Sequence, residues 1–422
     1  MATASIGVQP VGEPFPWGRA LADRRFRSIL LLIAGIPIIV AYLWYGLIQP
    51  FFAYEATDWV RVYIPGSSVL AAGQDPYLCN VGPCGGYTHY LIYYPPFVIW
   101  SMTPIVGLNP ELTAGVALVL LNVCLLAFVW LVLRALSVRD WQFSALALLG
   151  TISFAPTLTE IQNRNLQIVV LTLSAVFMLA YCRGDRWWGG AALGLALAIK
   201  VVQAPLLLLA LWGRRLWMVA ASVATVAVLW LIGAPRYLLE YLLKVAPAQA
   251  QGSDAVTNAA PFGTVNRLLH PEALYNSGLG GGWLVLAISG VFALVVVVVT
   301  GWRLGGVRRD PSGRALEVAA AVAASPLLVT LVYAGQFVLL LLPMIVLTDF
   351  GLRTRSRGMV AAVAASWVLL GPSFLAFTNA MAAGRGFLLL FLVWANSPVA
   401  GAVVLWLASL KALSGKSELP SS

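Results

Sequence analysis

Charged side chains are scarce in this 422-residue chain, so those that lie away from obvious basic clusters stand out. Asp58 follows the first long apolar stretch by about ten residues, inside YEATDWVRVYIPGSSVLAAGQDPY. A carboxylate so placed can take a proton from a hydroxyl while an apolar chain approaches from a bilayer. It can equally be a solvated loop acid or a helix cap. Glu55 is its nearest competitor, whereas Asp75, within GQDPY, reads as a turn former. Cys79 and Cys84 flank NVGP and suit a disulfide across a short turn in an oxidising compartment, with free thiols as the alternative. With His89 they make only three potential metal ligands and have no acidic companion, which argues against a metal site. Two histidines in all, His89 and His270, leave no basis for a three-His zinc centre or a Ser-His-Asp triad. Either could contact a sugar or phosphate oxygen, or simply be solvated. The tyrosines at 63, 87, 90, 93 and 94, with Trp59, read as interface anchors, some of which can stack on a sugar ring.

What must position these residues is a set of apolar helices. The composition is 60% apolar and only 10% charged, with a mean hydropathy of +0.87. Soluble domains carry roughly a quarter charged residues. The stretch from Ser28 to Leu47 is long enough for a hydrocarbon core of about 30 Å, and similar stretches recur to the C-terminal end. The polar first 28 residues, rich in Arg, precede a retained first span rather than a cleaved signal, since no small-residue cleavage site follows Ile48. A net charge of +10 is compatible with nucleic acid as a partner, but the basic residues sit in short connections where membrane topology accounts for them.

Those basic clusters set an orientation. Arg19 to Arg27, Arg134 with Arg139, Arg183 with Arg186, Arg214 with Arg215, Arg303 to Arg314, Arg353 to Arg357 and Lys411 with Lys416 should share the cytoplasmic side. That condition is met if Gly189 to Trp212 is a pair of short helices broken around Lys200 to Pro205, and if Pro95 to Leu108 is re-entrant or lies along the surface. The expectation is an all-α polytopic membrane protein of about twelve crossings with both termini inside. A cytoplasmic tail (1–28) precedes one membrane domain (29–411), whose outer loops span 49–94 and 235–282, and a second tail (412–422) follows. The polar residues without a topological role then gather at the outer face, where an active site is expected.

An acid soon after the first span, then LAAGQDPY, then YYPP opening an apolar segment, resembles glycosyltransferase family 87, polyprenyl-phosphate-dependent enzymes of the GT-C architecture. NRNLQIVVL (163–171) resembles the family's polar turn with an Asn opening a helix, and GGAALGLALAIKVVQAPLLLL (189–209) its Lys-bearing broken pair. Asn258, Gly263 and Arg267 match its second-loop pattern, and SPLLV with FVLLLLP (325–343) its late helices. The resemblance therefore covers most of the chain. It implies transfer of a sugar, mannose by family precedent, from a polyprenyl-phosphate donor to a lipid or glycan acceptor hydroxyl, inverting, with Asp58 as general base.

Cations at the outer surface should then stabilise the departing phosphate, and Lys200, Arg164 and Arg267 are the candidates, each of which could instead be a snorkelling charge. Glu160, Asn163, Asn258, Gln336 and His89 are candidates for sugar or acceptor hydroxyls. No cofactor or divalent metal is required by this chemistry. The family's polar turn is altered here at Gln162 and Asn163, and many members carry a His pair where this chain has Gly335 and Gln336. The resemblance also implies a bacterial plasma membrane, with membrane lipids as partners. The alternative class is a transporter or lipid flippase, with the break at Lys200 as a midplane binding site.

Overall fold

The computed structural model describes residues 24–55, 57–77, 93–252, 258–270, 282–304, 310–371 and 388–415. Helices form throughout, and no strand occurs among the described residues. Cys79, Cys84 and His89 lie outside them.

Five helices are long and apolar enough to cross a membrane: Ser28–Phe52, Pro110–Ala135, Trp283–Arg303, Ala334–Arg353 and Ala395–Ser414. Two bent pairs raise the number to seven if each is a single span, namely Trp141–Ile152 with Ala155–Asn163 (57°) and Leu216–Ile232 with Pro235–Ala250 (102°). Both bends fall where a proline opens the second member and removes a backbone donor, at Pro156 and Pro235. The expected count of about twelve would also need shorter apolar helices to cross, such as Gln167–Cys182 and Arg357–Leu370. Large apolar side chains point outward along the long helices, Leu120 and Val298 each 58% exposed, which is tolerable only against lipid.

Without a hydrophobic driving force between helices in lipid, close packing has to come from small residues. Helix Pro311–Ala324 is buried along nearly its whole length and rich in alanine. Helix Trp187–Ile199 crosses Leu216–Ile232 so closely that a Cβ on Gly190 would stand 2.1 Å from the Met218 carbonyl oxygen, and one on Gly194 2.5 Å from that of Ser222.

The chain breaks after Ile199. Lys200 is extended (φ −149°, ψ 125°), one 3-10 turn Val201–Gln203 follows, and helix Ala204–Trp212 begins with a proline in its first turn. The first span runs to Phe52, past the expected boundary at 48, and much of both expected loops is helical. Trp59–Tyr63 and Ile64–Ala71 form one continuous helical segment after it, and Pro235–Ala250 and Pro261–Leu269 lie in the second. In Pro261–Leu269 the apolar side chain of Phe262 is buried with Asn266 and Arg267 while Leu268 and Leu269 are exposed, so packing on one face suffices to hold a helix where sequence alone suggests a loop.

Candidate active site

Helix Ala155–Asn163 ends at Arg164, whose φ of 53° is left-handed, a conformation that costs a non-glycine residue about 1 kcal/mol. The cost is offset by its side chain. The buried guanidinium donates to the carbonyl oxygens of Pro50 (2.5 Å), Ala114 (2.9 Å) and Gln162 (3.3 Å), joining the end of the first span to helix Pro110–Ala135. Carbonyls in the last turn of a helix, such as that of Gln162, need such partners where water is excluded. Arg164 thus fixes the turn that aims the next residue.

That residue, Asn165, sits between two charges. Its Oδ1 accepts from the backbone N–H of Gln167 (3.0 Å) and from Lys200 Nζ (2.9 Å). Because a backbone N–H can only donate, the orientation of the amide is determined, and Nδ2 faces Asp58, donating to Oδ2 at 2.7 Å. Asp58 begins the Trp59–Tyr63 turn without capping it by a side-chain hydrogen bond. Burial pushes the Asp58 carboxyl above the ordinary carboxylate range, opposed by the Lys200 charge and the Asn165 hydrogen bond. Lys200 also stands over the ring of Tyr94, 5.3 Å from its centroid, and Tyr63 donates from its hydroxyl to that of Tyr94 at 2.7 Å. A cation held against an aromatic face and one amide oxygen keeps donor capacity for a ligand.

Asp58, Asn165, Lys200 and Tyr94 line a cavity of about 980 Å³. Asp58, Glu160, Asn163, Asn165, Lys200 and Gln336 supply polar walls, and side chains such as Val202, Leu208, Leu328 and Val329 supply apolar ones. Such a mixture suits an amphiphile with a polar head and an apolar tail. Among the described lining residues Lys200 is the one cation, and Asp58 and Glu160 are the two acids. The acid and the cation are separated by an amide rather than paired directly, so each can act on a ligand placed between them.

Not every candidate residue is brought here. Arg164 is occupied with carbonyls, as described above, and does not line the cavity. Arg267 donates to the Asn258 carbonyl (2.7 Å), the Ala395 carbonyl (3.1 Å) and Asn396 Oδ1 (3.1 Å). Asn258 in turn donates to the Thr330 carbonyl and accepts from the N–H groups of Ala260 and Val332. Neither Arg267 nor Asn258 lines the cavity, and together they fasten helix Pro261–Leu269 to the segment before Ala334 and to the last helix. Among the described residues no group of three His, Cys, Asp or Glu is placed to hold a metal. Sequence reasoning missed Asn165 as a site residue and did not single out Tyr94 from the other loop aromatics. The available signal was the asparagine opening helix Gln167–Cys182, taken only as a turn.

No curated protein matches the chain. Among solved structures, that of ArnT from Cupriavidus metallidurans bound to undecaprenyl phosphate is similar, at 14% identity over 89% of this chain and 76% of that one, with a TM-score of 0.39. The model of glycosyltransferase family 87 matches residues 91–326, more than half of the chain, and takes in the turn at Asn165, the break at Lys200 and the buried Glu160. This all-helical membrane protein belongs to glycosyltransferase family 87.

Proposed function

We propose that the protein is a GT-C glycosyltransferase of a bacterial plasma membrane, moving a sugar, mannose by family resemblance, from a polyprenyl phosphate to an acceptor hydroxyl at the outer face. The observation that carries this reading is the sequence of contacts Asp58, Asn165, Lys200 on the wall of a half-polar, half-apolar cavity. In it the acceptor oxygen attacks the anomeric carbon as the bond from that carbon to the phosphate oxygen breaks. The acceptor proton passes to the Asp58 carboxylate, and the polyprenyl phosphate leaves as a dianion against the Lys200 ammonium. One displacement inverts the anomeric centre. The desolvated position of Asp58 supports its role, since a raised carboxyl is a stronger base once ionised.

Lys200 takes the donor phosphate without help from Arg164 or Arg267, whose guanidinium groups are engaged with backbone carbonyls away from the cavity. Asn163 and Gln336 contact sugar or acceptor hydroxyls from the cavity wall. Incubating the purified protein with radiolabelled polyprenyl-phosphate sugars and membrane lipid extracts tests the reading. A labelled glycolipid formed by the wild type and lost in Asp58→Asn is expected. A transporter or a scaffold would yield no labelled product with any donor.

A further inference from the structure

Glu160 lies one helical turn before the Asn165 turn, only 3% exposed, with its side chain on the cavity wall. Its Oε2 has no hydrogen-bond partner in the protein. Leaving a carboxyl oxygen buried and unpaired is costly, and native structures seldom do so without a ligand, an ion or water to complete the set. The other carboxyl oxygen lies against Gly335, where a side chain would displace it. A Cβ on Gly335 would stand 2.2 Å from Glu160 Oε1 and 3.1 Å from Thr159 Cγ2. Gly335 lies in the 3-10 helix Ala334–Leu340, and its φ is not left-handed, so the backbone does not require glycine there. The carboxyl does. Glu160 and Lys200 line the same cavity wall as Asp58.

We infer that Glu160 reads the hydroxyls of the sugar carried by the lipid phosphate, and that Gly335 is a positioning residue whose missing side chain lets the carboxyl reach them. This rests on the proposed transfer from a polyprenyl-phosphate sugar and adds to it the residue that senses the sugar. With the phosphate on Lys200, the first ring of the donor lies next to Glu160, and a pyranose hydroxyl donating to Oε2 satisfies the orphaned oxygen. The same chemistry offered by a sugar of the acceptor would be read on the other side of the reaction, and binding without acceptor distinguishes the two.

The test compares the affinity of the purified protein in nanodiscs for polyprenyl phosphate carrying mannose, glucose or galactose with that for bare polyprenyl phosphate. The wild type should prefer at least one glycosylated lipid. Glu160→Gln should lower that preference at least about fivefold while the affinity for bare lipid phosphate changes less than twofold, since the amide places a donor where a carboxyl oxygen accepts the sugar hydroxyl. Gly335→Ala should lower it similarly in the wild type and have no further effect in Glu160→Ala, since the added methyl then meets no carboxyl. An unchanged preference in folded Glu160→Gln, or equal effects of Gly335→Ala in both backgrounds, would overturn the inference while leaving the transferase reading intact. A wild type that binds neither kind of lipid would remove both.

Discussion

At the Cys182 end of helix Gln167–Cys182, Asp185 meets Arg215 at 2.6 Å and Arg314 at 3.5 Å. Tyr181 donates to Glu317 at 2.9 Å, and its ring lies under both guanidinium groups, 5.7 and 5.9 Å from its centroid. At the other end, about 24 Å away at 1.5 Å per residue, Asp58 and Lys200 are also of opposite charge, yet an amide holds them apart and both face a cavity. The first arrangement pairs charges directly and joins helices Gln167–Cys182 and Pro311–Ala324 to the start of Leu216–Ile232. The second leaves hydrogen-bonding capacity on both charges and on Glu160. Direct pairing braces the fold even though Asp185 Oδ1 and Arg215 Nε make no hydrogen bond, whereas separation around a space leaves capacity that a ligand can complete.

Substitutions at the two ends should therefore fail in different ways. Asp58→Asn keeps shape and hydrogen bonding but removes basicity, so turnover should fall at least about 100-fold with donor affinity nearly intact and thermal stability unchanged or higher. More than a tenth of wild-type turnover in a folded variant would remove Asp58 as the base, and Glu160→Gln measured beside it would identify the substitute. Lys200→Met should weaken donor use by more than about tenfold, again without loss of stability, because a charge-assisted hydrogen bond is lost and a buried charge with it. Unchanged donor kinetics would mean that Lys200 only packs against Tyr94.

The pH dependence separates the ends again. Since burial raises the Asp58 carboxyl, kcat/KM should fall as pH drops through a value above the ordinary carboxylate range, and that acidic limb should be missing in Asp58→Asn. The linked stability runs the other way. A carboxyl raised on folding stabilises the protein below its unfolded value, and that contribution is lost as pH rises through the raised one. The smallest effect on chemistry is expected from Asp185→Ala, which should cost about 2 kcal/mol of stability by stripping two arginines of a partner. Its activity per folded molecule should stay within about twofold of wild type. A large loss of turnover at normal stability would show that the two ends are coupled through helix Gln167–Cys182.

Much of this was legible before any coordinates, for physical reasons that can be named residue by residue. Apolar runs of more than 20 residues can only be helices in lipid, because the backbone must satisfy its own hydrogen bonds there. The break around Lys200 followed from the need for Arg186 and Arg214 to return to the same side of the membrane. Asp58 and Glu160 stood out because carboxylates are scarce.

Sequence could not tell which polar groups converge. Arg164, Arg267 and Asn258 carry N–H donors as Lys200 does, but three of their partners are the carbonyls of Pro50, Ala114 and Thr330, which lie 50 to 114 positions away. Backbone carbonyls leave no trace in residue type, so their demand for donors was invisible. Asn165 was hidden for the related reason that its task, orienting one amide between two charges, depends on where Asp58 and Lys200 arrive from elements 107 and 35 positions away. Gly335 shows the same limit in reverse. The sequence by itself recorded only a missing side chain, and the fold decided what fills the space, since the carboxyl of Glu160 arrives there from another helix.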